Sequence, residues 1–192
     1  MEIIGNQSPR YQYSINMSLN WNGIGISTFW QGVAKKNWYP RYDSGYFWGQ
    51  YNRPFGYMLK AHTGSNVYRE ELDNWDTAYW PRMTTYQSNG TKNWTRLLEI
   101  PNTRYIQSAA YLRVKNIQLD YSFPKHICSA IRLQGLKIYV NAENLFTFTP
   151  LHKYAPNFDP EGLSYDSDFA SAADGYTYPI LKSVTVGVNI TF

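Results

Sequence analysis

The sequence predicts an all-β fold, in which antiparallel strands form part of a transmembrane β-barrel. From Ser183 to the end of the chain, small or polar residues alternate without exception with apolar ones. Aromatic residues make up 18% of the chain although its mean hydropathy is −0.51. No run approaches the roughly 18 consecutive apolar residues that a membrane helix requires. Strands of period two with rings near their ends and long loops between them are typical of barrels that cross a membrane as strands.

The first two predicted strands are joined by a tight turn. Over residues 10–21 (RYQYSINMSLNW) the odd positions are apolar and the even positions are polar, with rings at both ends. Asn22-Gly23 follows, and this dipeptide tolerates the positive φ angles of a two-residue hairpin turn best. Residues 24–34 (IGISTFWQGVA) are therefore predicted to form the antiparallel partner of the first strand.

A long segment without alternation follows this hairpin. Residues 35–108 are rich in Asn, Gly, Pro, Tyr and Trp, and a loop of this length is usually functional or disordered. Its many rings favour order. Aromatic faces stack on sugars and on peptide side chains, so the candidate substrate-binding or partner-binding residues are Trp38, Tyr46, Phe47, Trp48, Trp75, Tyr79 and Trp80. The alternative, which is favoured for any single ring, is that the rings pack together and hold the loop in shape.

The third strand is predicted over residues 110–123. Its alternation changes parity at Lys115-Asn116, which predicts a β-bulge at that point. Pro124 ends the strand, and the spacing of apolar residues over 125–134 predicts one or two helical turns.

Two further strands are predicted over residues 135–149 and 179–192, with a second long loop over 150–178 between them. The connections therefore alternate between short and long, which is typical of outer-membrane barrels whose long loops lie outside the cell. In such a barrel Val184, Val186 and the other even residues of the last strand face lipid, and the odd residues face the lumen.

No motif predicts an enzyme. The chain contains no GxSxG, HExxH or Gly-rich phosphate loop. Its three histidines lack metal-ligand spacing, and the single cysteine, Cys128, is predicted to be a small filler at a turn. The net charge is +4, and the basic residues are scattered along the chain rather than clustered. This distribution argues against a nucleic-acid partner.

The second long loop is acidic. Carboxylates can hold calcium, but the spacing here is not that of an EF-hand, and a solvated loop is the preferred interpretation. The acidic residues are Asp159, Glu161, Asp166, Asp168 and Asp174. Asp159 and Pro160 are expected to form a turn, so no cofactor or metal is predicted.

Several motifs along the chain together resemble a known family. They are PRYQYSINMSLNWNGIGISTFWQGVAKKNWYP, YFWGQYNRP, AYWPR, AAYLRVKNIQLDYSFP, LKIYVNAENLFTFTPL, NFDPEG and VTVGVNITF. In this order they resemble the C-terminal barrel segment of the SusC/RagA family of TonB-dependent transporters, from about residue 3 to residue 192. The resemblance implies a plugged outer-membrane barrel of about 22 strands. It also implies import of oligosaccharides or peptides with a SusD-like surface lipoprotein, driven by the TonB complex.

The resemblance also implies parts that this sequence does not contain. The first nine residues, MEIIGNQSP, have neither the basic nor the apolar region of an export signal. A signal peptide, a plug, earlier strands and an N-terminal part that reaches TonB would precede Met1, so we expect a fragment that is inactive alone. Phe192 resembles the terminal aromatic residue that the barrel-assembly machinery recognises.

A second function from a different class stays open, namely a soluble all-β carbohydrate-binding module whose surface rings stack on sugars. The two alternatives differ in the outward face of the strands. That face is apolar on all five predicted strands, and a soluble module would need a second sheet to cover it.

Overall fold

The computed structural model describes residues 2–40, 67–68, 72–81, 101–163 and 180–192. The chain divides into two compact units. The loop unit comprises Met1–Arg10, Lys35–Ala110 and Thr149–Pro179, and the sheet unit comprises Tyr11–Ala34, Tyr111–Phe148 and Ile180–Phe192. None of the described residues forms a helix that is long and apolar enough to span a membrane.

The described strands confirm the antiparallel all-β fold. In chain order they are β1 (Arg10–Trp21), β2 (Ile24–Lys35), β3 (Asn37–Trp38), β4 (Gln107–Ser108), β5 (Tyr111–Ser122), β6 (Gly135–Glu143), β7 (Thr147–Phe148) and β8 (Ser183–Thr191). Strands β1, β2, β5, β6 and β8 are neighbours in this order in one sheet, in which β7 also pairs with β5. Because β5 is antiparallel to β2 and to β6, and β6 is antiparallel to β8, both long connections begin and end at the same end of the sheet.

The hairpin between β1 and β2 has the predicted two-residue turn. Asn22 has a φ of 47° and Gly23 has a φ of 85°, as a type I′ turn requires. The Gly23 carbonyl accepts a hydrogen bond of 2.7 Å from the amide of Ser122. A Cβ atom at position 23 would lie 2.8 Å from the Ser122 carbonyl oxygen, so both the φ angle and the neighbouring strand favour glycine.

The predicted bulge is confirmed at Lys115. Phe29 lies opposite Asn116 and Trp30 lies opposite Val114, which leaves Lys115 as the extra residue of β5. The Lys115 carbonyl accepts a hydrogen bond of 3.1 Å from the amide of Asn144. The backbone group that the bulge releases is therefore satisfied by the residue that directly follows β6.

Strands β6 and β8 are shorter than the predicted ranges. The predicted strand over 135–149 stops at Glu143, because Asn144 adopts a φ of 51° and breaks the extended backbone. The chain then resumes pairing with β5 as β7. Strand β8 begins at Ser183 rather than at the predicted position 179, and the Asn144 amide nitrogen Nδ2 donates a hydrogen bond to the Leu181 carbonyl just before it.

The predicted helical turns form the helix α1 (Lys125–Ala130), which begins directly after Pro124. It ends before Arg132, whose φ is 59°. Cys128 is buried within this helix rather than at a turn, and its thiol contacts the Phe123 carbonyl at 3.7 Å.

The register confirms that the sheet has two unlike faces. Apolar residues of adjacent strands lie opposite one another in a continuous row, namely Ile26, Leu119, Val140 and Val186. The next row belongs to the other face and consists of Gly25, Asp120, Tyr139 and Gly187. The apolar residues remain exposed, up to 72% for Val186. Such a face suits lipid and not water.

The polar face is closely packed around Asp120 and Tyr139. Lys137 Nζ lies 2.9 Å from an Asp120 carboxylate oxygen, and Gln118 donates a hydrogen bond to the same carboxylate. The Tyr139 ring covers Gly187, where a Cβ atom would lie 2.3 Å from a ring carbon. Glycine at position 187 therefore provides the space for a tyrosine on the polar face of the sheet.

Candidate functional site in the long loops

The loop unit is built on two short strands and an extended N-terminal segment. In the strand pair, Asn37 of β3 lies opposite Ser108 of β4, and Trp38 lies opposite Gln107. On the other side, the Asn37 amide donates a hydrogen bond of 2.8 Å to the Asn6 carbonyl. These backbone bonds fix the position from which the Trp38 side chain projects.

An aromatic core fills the loop unit. Its buried members are Trp38, Tyr39, Val67, Trp80, Tyr105, Ala109, Leu151, Ala155, Phe158 and Leu163. Trp80 stacks on Tyr105 with ring centroids 5.7 Å apart, and Trp38 contacts Phe158 at 5.1 Å. Trp38 and Trp80 are only 4% and 1% exposed. These two predicted binding rings therefore hold the loops in shape, and their faces are occupied by other rings.

The Trp80 indole is also fixed by hydrogen bonds around it. Its Nε1 donates to the Tyr154 carbonyl at 3.2 Å. Its own carbonyl accepts from the Tyr68 amide at 3.1 Å, where Val67 and Trp80 form a parallel bridge. Trp80 therefore joins three separate stretches of the loop unit.

Tyr79 connects this core to a polar network. Its ring stacks on Tyr154 with centroids 3.6 Å apart. Its hydroxyl accepts a hydrogen bond of 2.6 Å from Gln107 Nε2 and donates to the Arg104 carbonyl. Burial raises the pKa of Tyr79, so its hydroxyl remains neutral at physiological pH and can fill both roles.

Asn102 organises a second polar network in the same loops. Its Nδ2 donates to the Tyr39 hydroxyl at 3.1 Å, while its Oδ1 accepts from the amides of Arg104 and Tyr105. Burial raises the pKa of Tyr39 to about 12, with Tyr105 acting in the same direction and a hydrogen bond with the Asn102 backbone opposing it. Sequence reasoning missed Asn102, Arg104 and Gln107 because single polar residues in a loop have no periodic pattern.

A buried lysine holds the second long loop. The Lys36 ammonium, 9% exposed, donates to the carbonyls of Pro160 at 3.0 Å and Leu163 at 2.5 Å. The predicted turn is present, since the Asp159 carboxylate accepts a hydrogen bond of 2.9 Å from the Glu161 amide. Asp159 therefore serves the backbone of this turn.

The acidic residues of the second long loop, for which a solvated loop was preferred over a calcium site, lie only partly within the described residues. Asp166, Asp168 and Asp174 lie outside them. In the part of the chain that the structure describes, no three His, Cys, Asp or Glu side chains are grouped as they would be around a metal ion.

A pocket of about 550 Å³ lies beside the strand pair of the loop unit. Its lining residues are Glu2, Ile4, Gly5, Asn6, Gln7, Ser8, Asn37, Trp38, Tyr39, Pro101 and Ile106. The Asn6 amide donates to Asn37 Oδ1 at 3.1 Å, which fixes one wall. Side-chain amides beside apolar residues can bind an uncharged polar ligand.

Trp75 differs from the other described candidate rings because it is 71% exposed. It lies on a turn in which the Asn74 carbonyl accepts from the amides of Thr77 and Ala78. The Asn74 side chain is buried and donates to the Val67 carbonyl at 3.1 Å. The turn therefore presents Trp75 outward from a fixed base.

Four of the residues singled out in the sequence remain. Tyr46, Phe47 and Trp48 lie outside the described residues. Phe192 follows β8 directly and is 81% exposed, and its role in barrel assembly stays a prediction.

Sequence comparisons identify relatives along nearly the whole chain. No family model matches it. It is 24% identical to TonB-dependent receptor P26 of Formosa agariphila over 99% of its length, and 23% identical to TonB-dependent receptor P39 over the same share. TonB-dependent receptor P3 is 31% identical over 47% of the chain. The chain covers only 18%, 17% and 9% of these relatives, respectively. All three relatives are named as TonB-dependent receptors.

Solved structures share the fold. Structures of the RagAB peptide importer in the "open-open" and "closed-closed" states match 99% of this chain and 18% of theirs, with TM-scores of 0.58 and 0.60 and 18% sequence identity. A likeness at this identity establishes the fold. Together the two comparisons confirm the predicted resemblance: the chain has the fold of an antiparallel segment of an outer-membrane β-barrel, and over 99% of its length it is similar to TonB-dependent receptors and to structures of the RagAB peptide importer.

Proposed function

We propose that the chain is part of an outer-membrane importer that takes up oligosaccharides or peptides with a SusD-like surface lipoprotein. In this proposal residues 1–192 are the C-terminal part of the barrel domain. The TonB complex supplies the energy through an N-terminal part of the same protein. The barrel-assembly machinery inserts the complete barrel into the outer membrane. The relatives named TonB-dependent receptors and the structures titled as a peptide importer support this proposal.

The observation that carries the proposal is the uncovered apolar face of the sheet. Residues on this face of β8, such as Val184 and Val186, are exposed by 66% and 72%. Large exposed apolar surfaces are rare on soluble monomers and mark contact with another phase or partner. Lipid outside and a polar lumen inside account for both faces of the sheet at once.

The edges of the sheet support the same proposal. Among the described strands, β1 and β8 each have one neighbour in the sheet. An open edge in a membrane leaves backbone groups without partners, so spanning sheets close into barrels. Further strands of a longer protein would complete this barrel. A soluble carbohydrate-binding module would need a second sheet over the apolar face. Among the described residues none buries Val186, which is 72% exposed.

The function is tested by uptake in cells that express the full-length transporter and its lipoprotein. We expect cells to accumulate fluorescent short peptides or oligosaccharides, and this uptake to stop when TonB is deleted. Binding at the cell surface should survive the deletion, because only the energy supply is removed. Uptake of neither ligand class, or uptake that is unchanged without TonB, would contradict the proposal.

A further inference from the structure

The short helix α1 leaves two isoleucines exposed at the end of the sheet opposite the long loops. Ile127 and Ile131, which are 40% and 53% exposed, are spaced so that they lie on one side of the helix. Their base is fixed, because the Cys128 side chain is 1% exposed and the Cys128 carbonyl accepts from the amides of Ile131 and Leu133 at 3.2 and 2.9 Å. The helix therefore presents an ordered apolar pair at this end of the sheet.

The apolar face of the sheet reaches this helix. Leu136 and Ile190 lie opposite each other, one row beyond Ile138 and Val188 of the apolar face. The Leu136 carbonyl accepts a hydrogen bond of 2.9 Å from the amide of Phe123, so an apolar row extends to the residues just before α1. The last row of the other face is polar and consists of Ser122, Lys137 and Asn189. The two exposed isoleucines therefore suit the lipid side of the rim and not the polar lumen.

The same turn is basic. Residues 124–134 (PKHICSAIRLQ) contain Lys125 and Arg132, both exposed, and no acidic residue. The nearby Lys137 is neutralised by the Asp120 carboxylate at 2.9 Å, whereas no carboxylate of a described residue forms an ion pair with Lys125 or Arg132. Basic side chains beside an apolar surface at a membrane boundary attract the phosphates of anionic lipids.

We propose that α1 and Arg132 form an interfacial site for an anionic phospholipid. Ile127 and Ile131 contact the upper part of the acyl chains, while Lys125 and Arg132 bind the headgroup phosphate, since long basic side chains keep their stems on apolar surface and their charge in the headgroup region. The inference rests on the proposed function in one respect, that the long loops lie outside the cell, which places α1 at the periplasmic leaflet. It goes beyond contact of a barrel with lipid, because it assigns a preference for headgroup charge to one turn.

The test measures which phospholipid lies beside α1 in the full-length transporter. A fluorescent label on Ala130→Cys, after Cys128→Ser, reports quenching by brominated lipid, and Ala130 is an exposed residue of the helix outside the apolar pair. The transporter is placed in phosphatidylcholine vesicles that contain an equal fraction of either brominated phosphatidylglycerol or brominated phosphatidylcholine. We expect the association constant of phosphatidylglycerol at the label to be at least about tenfold higher, because two basic residues attract its charge.

Two double variants separate the charged part of the site from the apolar part. Lys125→Ser with Arg132→Ser should remove the preference for phosphatidylglycerol and leave quenching by phosphatidylcholine in place. Ile127→Ser with Ile131→Ser should lower quenching by both lipids, because the turn then loses its contact with the acyl chains. Arg10→Ser with Lys182→Ser is the matched control, since it removes two exposed basic residues at the opposite end of the sheet, and it should leave the preference unchanged.

The outcomes distinguish failure of this site from failure of the proposed function. Equal quenching by the two lipids in the unaltered transporter overturns the site, as does a preference that survives Lys125→Ser with Arg132→Ser. Absence of quenching by either lipid also overturns it, because water or another protein then covers α1. Loss of uptake with a normal lipid preference would contradict the proposed function alone, and TonB-dependent uptake with equal quenching would contradict the lipid site alone.

Discussion

Replacing Val186 by Arg is expected to destabilise the folded barrel by about 2–4 kcal/mol, the cost of a basic side chain on a lipid-facing strand near the bilayer midplane. Val186 lies near the middle of β8, opposite Val140, and is 72% exposed on the apolar face. The measurement is the unfolding free energy of the full-length transporter in lipid vesicles, obtained by denaturant titration.

Thr185→Arg is the matched control for this substitution. Thr185 is the preceding residue on the same strand, opposite Asn141 on the polar face. An arginine there can remain hydrated in the lumen, so we expect a change within about 0.5 kcal/mol, as for ordinary surface substitutions. Equal costs at positions 185 and 186 would contradict the assignment of the two faces.

Replacing Trp80 by Ala is expected to destabilise the loop unit by about 3–5 kcal/mol, as for other large aromatic residues in a core. The substitution removes the stacking on Tyr105, the edge contact with Tyr79 at 4.8 Å and the hydrogen bond to the Tyr154 carbonyl. Hydrogen exchange of the loop amides in the membrane-embedded transporter measures the loss directly.

Trp75→Ala is the control for Trp80→Ala, since the same residue type is replaced five positions earlier on the exposed turn. We expect loop protection to be unchanged in Trp75→Ala, because a ring that is 71% exposed contributes little to the core. Equal loss of protection in both variants would show that the loss is not specific to the buried ring, and unchanged protection in Trp80→Ala would show that the aromatic core does not depend on Trp80.

The sheet was largely predictable because alternation of period two survives in the folded strands. β1 matches its predicted bounds, and the Asn22-Gly23 turn and the bulge at Lys115 are where the pattern placed them. The break after Glu143 was not predicted. Asn144 is followed by further apolar residues, and only its φ of 51° shows that the strand ends. The chain pairs again with β5 as β7, so a local break in the strand was hidden by a continuous apolar pattern.

The loop unit was less predictable because its contacts join residues that are distant in sequence. Lys36 looks like a surface lysine in the sequence, but it donates to carbonyls more than 120 positions away. The sequence favoured packing for any single ring but did not say which rings pack, and the structure places Phe158 against Trp38 and Tyr105 against Trp80. Composition indicated an ordered loop, and only the fold showed that Trp75 is the exposed tryptophan among the described candidates.

We expect β8 to have one face in lipid and one in the lumen of an outer-membrane barrel. Fluorescence quenching tests this placement, with single labelled cysteines in the full-length transporter, reconstituted in vesicles of brominated lipid after Cys128→Ser. Labels at Val184, Val186 and Val188 should be quenched by the acyl chains, whereas labels at Thr185 and Asn189 should not. Uniform quenching along the strand, or quenching at the odd positions only, would contradict the claim.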